Sequence, residues 1–232
     1  MISNLNKLLD FLALDNNRSL RKEIIKLINT TKEYDYGNGY LYQSFENIPL
    51  RGLRNSKFRI NQLKINDYIK NKSILDIGCN TGFVSMSLND DYKKIFSIDH
   101  NYTAIKIANL VKNYINKKNI DFIHDDFNSY NFLEKFDIIL SLANHSTEDK
   151  GITNTFIYFE KINMLLNYNG ILFIESHHPQ IESPNKFSDI MYYLINKYKY
   201  ETLFKSKYKT FNFYDNGRSF YVLKKIFNKS IC

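Results

Sequence analysis

The chain has 232 residues, of which 44% are hydrophobic, so it is long enough for one large domain that needs neither disulfides nor metals for stability. Its two cysteines, Cys79 and Cys232, lie in no metal-ligand spacing, and no run of about 18 apolar residues occurs. We therefore expect a soluble, cytoplasmic protein without a metal centre or a membrane partner. The net charge of +8 admits a nucleic-acid partner. A general enrichment in lysine, asparagine, isoleucine and tyrosine explains that charge better than a selected basic surface.

The first 56 residues are predicted to form an N-terminal helical extension with a lid segment, ahead of a main domain over residues 57–232. Apolar residues recur at helical spacing over residues 3–33, which predicts two helices. Residues 34–55 are rich in glycine, tyrosine and asparagine, so we expect a loop there. A helix from about Lys57 to Asn71 should follow.

From Ser73 onward, short apolar runs alternate with amphipathic segments, a pattern typical of βαβ units around a parallel sheet. The predicted strands are 73–77, 94–99, 119–124, 136–142, 170–176, 200–207 and 218–226. The predicted helices lie near 82–89, 102–116, 152–167 and 185–197. The last two strands should pair antiparallel, because Asp215-Asn216-Gly217 is a hairpin turn signal. The fold class is thus α/β, with a doubly wound, Rossmann-like sheet of seven mostly parallel strands.

The segment from Ser73 to Phe83 predicts a buried strand, a turn with two glycines and a helix. Gly78 and Gly82 allow a ligand to approach the backbone closely, and the helix offers unpaired N–H groups at its start. About 20 residues later, Asp99 closes the next strand, where its carboxylate can bind both hydroxyls of a ribose. The sequence therefore predicts a nucleotide-type pocket, although it lacks the G-x-G-x-x-G pattern.

The string D-x-G-C-N-x-G, from Asp76 to Gly82, resembles motif I of class I S-adenosylmethionine (SAM)-dependent methyltransferases. The resemblance continues through Asp125-Asp126-Phe127, the strand 136–142 and the segment 165–173. It implies SAM as the cofactor, with Asp99 on the ribose, Asp126 on the adenine amino group and the backbone of Phe127 on the adenine ring. Asp125 could be only a solvated neighbour of Asp126. The implied cofactor residues are Tyr42, Gln43, Arg54, Asp76, Gly78, Cys79, Asn80, Gly82, Asp99, His100, Asp126, Phe127 and Leu142.

A second resemblance lies ahead of motif I, in Tyr42-Gln43-Ser44 and Gly52-Leu53-Arg54. These strings resemble a branch of bacterial methyltransferases associated with surface-polysaccharide modification and, more distantly, the tRNA wobble-uridine carboxymethyltransferases. The resemblance implies that the segment folds over the cofactor and that Arg54 pairs with the SAM carboxylate. It also implies that Arg218 reaches an anionic acceptor group. Arg51 could equally be a surface residue.

Histidines follow the fourth and fifth predicted strands, where open α/β sheets bind their ligands. His145, His177 and His178 are therefore candidate catalytic bases, because imidazole titrates near neutral pH. The alternative is that they are loop histidines bonded to the backbone.

Three functions remain open from the sequence. The first is O-methylation of a small-molecule acceptor: a sugar, a sugar nucleotide or a phosphorylated precursor of a surface polysaccharide, phosphoramidates included. The second is tRNA or rRNA modification, which the charge and the many aromatic residues favour. The third is a degenerate subunit with the methyltransferase fold, which binds SAM or a partner without turnover. The intact motif I and Asp99 argue against this third function.

Overall fold

The computed structural model describes residues 18–30, 41–48, 50, 52–145, 155–177, 182–208 and 217–226. The described strands are β1 (Leu41–Ser44), β2 (Gly52–Asn55), β3 (Ser73–Ile77), β4 (Lys94–Asp99), β5 (Ile120–His124), β6 (Phe136–Leu142), β7 (Leu166–Glu175), β8 (Tyr200–Tyr208) and β9 (Arg218–Lys225). The described α-helices are α1 (Arg18–Thr30), α2 (Ser56–Leu63), α3 (Phe83–Ser87), α4 (Tyr102–Tyr114), α5 (Thr155–Leu165) and α6 (Pro184–Tyr198).

Strands β3 to β9 form one sheet in the order β5-β4-β3-β6-β7-β9-β8. Strands β3 to β7 pair in parallel, whereas β9 is antiparallel to both β7 and β8. The predicted mostly parallel, seven-stranded α/β sheet is confirmed, including its antiparallel pair. Strand β7 begins four residues earlier than predicted, at Leu166. From β3 the strands are added on one side up to β5, and from β6 they are added on the other side. Such a switch in strand order leaves a crevice at the carboxyl ends of β3 and β6.

Both faces of the sheet are covered, because neighbouring residues of a strand point to opposite faces. Ile74 of β3 belongs to one buried cluster, which includes residues of α1, α2, α3 and α4. Leu75, the next residue, belongs to the other cluster, under α5 and α6. None of the helices in the described ranges is long and apolar enough to cross a membrane.

Side-chain caps and left-handed residues set the helix ends. Asn55 and Asn101 accept hydrogen bonds from the backbone N–H groups three residues ahead, at the starts of α2 and α4. Helix α2 ends at Leu63 because Lys64 has φ 54°, and a 3₁₀ turn over Ile65–Asp67 follows. The prediction of one helix continuing to Asn71 was therefore wrong beyond Leu63.

The prediction of a loop over residues 34–55 was also wrong for the described part. Strands β1 and β2 pair in parallel, with Gln43 opposite Arg54, and Phe45 forms a bridge with Leu50. Leu41 and Phe45 are buried in the same cluster as the sheet, so packing against the main domain orders this polar segment. The second predicted N-terminal helix corresponds to α1. The first, residues 31–40 and Arg51 lie outside the described residues.

Candidate active site

The turn after β3 carries three residues with positive φ: Gly78 (64°), Asn80 (55°) and Gly82 (69°). The N–H groups of Gly78 and Cys79 donate to the carbonyl oxygen of Ile98 in β4, at 2.8 and 3.1 Å. A Cβ atom on Gly78 would lie 2.8 Å from the Asn144 side-chain nitrogen. Both the torsion and the space therefore require glycine at this position.

Asp99, at the end of β4, faces this turn. Its Oδ2 accepts a hydrogen bond from the Asn80 N–H at 2.7 Å, and its Oδ1 accepts one from the Asn101 N–H at 2.8 Å. The next residue, His100, is exposed, with its Nδ1 3.8 Å from Asp99 Oδ1. The structure thus brings together the glycine turn and the carboxylate that the sequence assigned to one pocket, and the backbone fixes the carboxylate's orientation.

Asp76 lies beneath the same turn. Its carboxylate is buried and accepts a hydrogen bond of 2.6 Å from Ser85 Oγ in α3. Ser85 Oγ is in turn 2.9 Å from Ser97 Oγ of β4. Burial raises the pKa of Asp76 to about 7. This arrangement links β3, α3 and β4, so Asp76 supports the turn from within the core.

The predicted adenine residues follow β5. Asp126 is exposed, and its Oδ1 accepts a hydrogen bond from the Asn128 N–H at 3.0 Å. Phe127 is buried, with its ring in edge contact with Tyr158 at 5.2 Å between centroids. Asp125 is also exposed and accepts from the Asp126 N–H at 2.8 Å. The acidic side chains are thus presented at the sheet edge, while the aromatic ring belongs to the core.

Asn144 connects the end of β6 to the glycine turn. Its Nδ2 donates to the carbonyl oxygen of Ile77, and its Oδ1 accepts from Ser141 Oγ at 2.8 Å and from Tyr158 OH at 3.1 Å. Ala143, just before it, has φ 62°. This network fixes the chain that leads from Leu142 into His145. Sequence reasoning missed Ser141 and Tyr158, which belong to no local motif.

His145 and His177 meet at the carboxyl ends of β6 and β7, with their ring centroids 5.3 Å apart. Glu182, which the sequence analysis missed, joins them. Its Oε1 accepts from His145 Nε2 at 2.9 Å, and its Oε2 accepts from the His177 N–H at 3.1 Å. Burial, together with the neighbouring His145, lowers the pKa of His177 to about 4. His178 lies outside the described residues.

We call Glu182, His145 and His177 the histidine cluster. Both imidazoles are buried, at 1% exposure for His145 and 3% for His177. His145 Nδ1 and His177 Nε2 form no hydrogen bond with any described residue. Because an ionised Glu182 carboxylate can only accept, His145 Nε2 carries the hydrogen of this bond, which leaves Nδ1 as the second nitrogen of the ring.

The predicted lid segment lies against the glycine turn. Gln43 of β1 is buried, and its Oε1 accepts from the Phe83 N–H at 3.1 Å, at the start of α3. Phe45 stacks on the Phe83 ring, with centroids 5.3 Å apart. The Arg54 guanidinium lies 5.9 Å from the centroid of the Tyr42 ring. These contacts place β1 and β2 beside motif I.

Glu175, at the end of β7, is fully buried among three residues from distant parts of the chain. Arg59 Nε of α2 donates to Glu175 Oε2 at 2.5 Å, and Tyr208 OH donates to Oε1 at 2.6 Å. Arg218 Nη1 lies 3.6 Å from Oε1 and donates to the Ser176 carbonyl oxygen at 3.3 Å. Although burial opposes ionisation, Arg59 and Arg218 hold the pKa of Glu175 below its usual value. The sequence signalled none of these partners of Glu175.

A family model described as a methyltransferase domain matches residues 69–212, which is more than half of the chain. The chain therefore belongs to this methyltransferase family.

The chain is similar to a release factor glutamine methyltransferase of Buchnera aphidicola subsp. Schizaphis graminum, with 31% identity over 108 residues. That match covers 45% of this chain and only 39% of the relative's length. The N-methyltransferase NodS of Bradyrhizobium japonicum WM9 superposes with a TM-score of 0.61 at 15% identity, covering 74% of this chain and 96% of NodS. An rRNA methylase of Streptococcus thermophilus gives a TM-score of 0.56 at 16% identity, with 75% and 98% covered. At these identities the two superpositions show a common fold.

The chain thus carries a methyltransferase domain, and NodS has also been solved with S-adenosyl-L-homocysteine (SAH), the demethylated form of SAM, bound. The residues at the ends of β3 and β4 suit this cofactor. Asp99 offers a fixed carboxylate to a diol, and Gly78 leaves the turn free of a side chain that would displace Asn144. When bound, SAM supplies an electrophilic methyl group on a sulfonium. The chain has to align the acceptor and, for a hydroxyl acceptor, remove a proton.

Proposed function

We propose that the enzyme O-methylates a small-molecule acceptor that is anionic or sugar-linked: a sugar, a nucleotide-linked sugar or a phosphorylated precursor of a surface polysaccharide, phosphoramidates included. The observation that carries this proposal is the histidine cluster, a buried group at the carboxyl ends of β6 and β7. Two cysteines in 232 residues, with Cys79 buried as a free thiol, agree with a reducing compartment, and we place the reaction in the cytoplasm.

The proposed base is His145. Its Nδ1 can accept the hydroxyl proton while the acceptor oxygen bonds to the methyl carbon and the carbon–sulfur bond breaks. Glu182 then stabilises the imidazolium across the bond to Nε2, in the manner of a base held by a carboxylate. His177, with a pKa of about 4, stays neutral at pH 7 and adds no competing charge beside His145. Glu182 is on this assignment a positioning residue.

The cofactor side of the proposal keeps the glycine turn, Asp76, Asp99, Asp126 and Gln43 from the residues that the family resemblance implied. Asp99 and the Gly78–Gly82 turn would hold the ribose and methionine portions, and Asp126 would meet the adenine. Gln43, bonded to the start of α3, would hold the lid segment over this pocket. Asp76 would act indirectly, through Ser85 and the turn.

RNA is the second candidate acceptor, because the chain carries a net charge of +8 and its fold is shared with an rRNA methylase. Fold similarity is weak evidence for an acceptor, since one fold serves many chemistries. A tRNA or rRNA substrate predicts that methyl transfer falls steeply as salt rises, because phosphate contacts release counterions. A small acceptor predicts a much weaker salt dependence.

The identifying experiment is transfer of radiolabel from SAM to separate pools of nucleotide-linked sugars, phosphorylated sugars, bulk tRNA and rRNA. We expect label in a sugar-linked or phosphorylated small molecule. Label that enters RNA alone would reject the small-acceptor proposal.

The base assignment is tested with His145→Gln, using His177→Gln as the matched control. We expect His145→Gln to lower kcat by about 10²- to 10⁴-fold without changing the Kd for SAH, and the loss should shrink at high pH. Glu182→Gln should give a smaller loss of kcat. If the loss of kcat in His145→Gln follows a parallel loss of thermal stability and SAH affinity, the histidine is structural. A larger selective loss in His177→Gln would move the base to that residue.

A further inference from the structure

Among the described residues, positive charge exceeds negative charge around the end of β7 and the start of β9. Arg54, Arg59 and Arg218 lie around the single carboxylate of Glu175, and we call these four residues the arginine cluster. Glu175 is fully buried, Arg59 and Arg218 are each 3% exposed, and Arg54 is partly buried. A buried guanidinium is costly unless a counterion or hydrogen-bond acceptors compensate it.

Glu175 compensates two of the three arginines. It pairs directly with Arg59 and lies within ion-pair distance of Arg218. Among the described residues, Arg54 is in no ion pair, and its buried Nη1 has no hydrogen-bond acceptor. Arg218 Nε is likewise buried without an acceptor. The cluster therefore presents donors that the described protein atoms leave unused.

The pKa of Tyr42 reflects the positive charge of these arginines. Burial alone raises the pKa of a phenol, but the charges of Arg218, Arg59 and Arg54 outweigh burial and lower the pKa of Tyr42. Tyr208, whose hydroxyl bonds to Glu175, shows the opposite response, with its pKa raised by burial and by that carboxylate. The side of the cluster that Tyr42 and Arg54 share is thus the electropositive side.

The cluster lies towards the acceptor end of the sheet. Asp99 ends β4, and Glu175 ends β7, three strands along in the order β4-β3-β6-β7. At about 4.8 Å per strand spacing, this separates the two carboxylates by about 14 Å along the sheet edge. His177 follows Glu175 by two residues and is influenced by both Glu175 and Arg218. The arginine cluster and the histidine cluster therefore lie side by side.

We propose that Tyr42, Arg54 and Arg218 form an anion-binding subsite that holds a carboxylate or phosphate group of the methyl acceptor. Guanidinium groups bind such oxyanions with two parallel hydrogen bonds, which fix direction as well as position. The buried pair of Glu175 and Arg59 lies next to Arg218 and fixes its position in the subsite. An acceptor anchored here would present its hydroxyl to the neighbouring histidine cluster, so the inference rests on the proposed function for its acceptor chemistry.

The subsite can be tested without any acceptor, with inorganic phosphate as the probe. Thermal unfolding and calorimetric titration of the full chain are measured with millimolar phosphate against chloride at matched ionic strength. We expect phosphate to raise the Tm of the wild-type protein and of its SAH complex alike. Absence of a phosphate effect beyond the chloride control would overturn the proposal.

Variants then locate the effect. Arg54→Gln should weaken phosphate binding about 10- to 100-fold, as expected for the loss of a charge-assisted hydrogen bond. Tyr42→Phe, which keeps the ring and the packing, should weaken it by a smaller factor. Arg18→Gln, a matched change at an exposed arginine of α1, should leave it unchanged. Equal phosphate affinity in Arg54→Gln and Arg18→Gln would refute the assignment.

A final comparison separates the acceptor's anion from the carboxylate of the cofactor. SAH carries the methionine carboxylate, and 5′-methylthioadenosine lacks it. If Arg54 serves the acceptor, Arg54→Gln binds both nucleosides as the wild type does, and phosphate binds additively with SAH. Competition between SAH and phosphate, with a loss of SAH affinity alone in Arg54→Gln, would assign the subsite to the cofactor and overturn the proposal. Because no acceptor is present, the result is independent of whether radiolabel enters a sugar or RNA.

Discussion

Replacing Glu175 by glutamine removes the counterion of the arginine cluster at nearly constant volume. The side chain is fully buried, and its two oxygens accept from Arg59 Nε and Tyr208 OH while Arg218 lies 3.6 Å away. Glutamine keeps one acceptor oxygen but turns an NH₂ group towards donors. It also leaves three arginines without a carboxylate.

The expected loss of stability follows from the burial of the Arg59–Glu175 ion pair. Removing one partner of a buried ion pair costs about 3–5 kcal/mol, because the other charge stays buried and uncompensated. The remaining amide oxygen of glutamine retains one hydrogen bond, so we expect the lower end of this range. A loss of about 3 kcal/mol in a domain of this size corresponds to a fall in Tm of about 6–12 °C.

The assay is thermal unfolding, with Glu134→Gln as the control. Glu134 lies 3.9 Å from Lys94 in an exposed pair, so its loss should cost about 0–1 kcal/mol. The double variant Glu175→Gln, Arg59→Met should recover part of the loss, because it removes a charge that the single variant leaves unpaired. A Tm for Glu175→Gln within about 2 °C of the wild type would refute the reasoning.

Three further predictions concern the glycine turn, the neighbouring Asp99 and the histidine cluster. Asp99→Asn should weaken SAH binding in calorimetry by about 10- to 100-fold, because the ribose loses charge-assisted hydrogen bonds, while the fold persists. Gly78→Ala should abolish measurable SAH binding in the same assay, since its Cβ would lie 2.8 Å from the Asn144 amide and the residue has φ 64°. The stability of the wild type should fall as pH drops from 6.5 towards 4, because the unfolded chain binds a proton on His177 that the folded chain, with a pKa of about 4, does not bind. Between about pH 7.5 and pH 5, the free energy of unfolding measured in urea should fall by about 2 kcal/mol less in His177→Gln than in the wild type.

Each of these three predictions would be contradicted by a specific result. An SAH affinity for Asp99→Asn equal to that of Asp121→Asn, a change at a half-exposed carboxylate of β5, would remove Asp99 from the pocket. A folded Gly78→Ala protein that binds SAH normally would show that the turn tolerates a side chain. Parallel pH profiles for the wild type and His177→Gln would mean that His177 titrates as an ordinary imidazole.

The family membership shows a methyltransferase domain but does not identify the acceptor, which depends on the residues near the ends of β6 and β7 and the start of β9. A glutamine methyltransferase, an N-methyltransferase and an rRNA methylase all appear among the similar proteins. Their acceptors differ, so the shared sheet does not select one. In this chain the histidine cluster and the arginine cluster supply the chemistry on which we base the acceptor proposal.

Local sequence was sufficient to predict the strands of the sheet and the glycine turn after β3. Strand β3 is a short apolar run bounded by turn residues, and β4 and β6 were predicted with their observed bounds. Gly78 and Asp99 could be paired from the chain alone, because the spacing of a βαβ unit brings the ends of neighbouring strands together. Such features depend on contacts between elements that follow one another in sequence.

Only the tertiary structure decided which polar side chains meet beyond those strands. Arg59 and Glu175 lie 116 residues apart, and His145 and Glu182 lie 37 apart. Hydrophobic periodicity carries no information about such pairs, since their choice depends on how α2 and the chain before α6 pack against the sheet. The short strands β1 and β2 were missed for the same reason. Their sequence resembles a loop, and neither the burial of Leu41 in the core nor the parallel pairing of β1 with β2 can be read from local sequence.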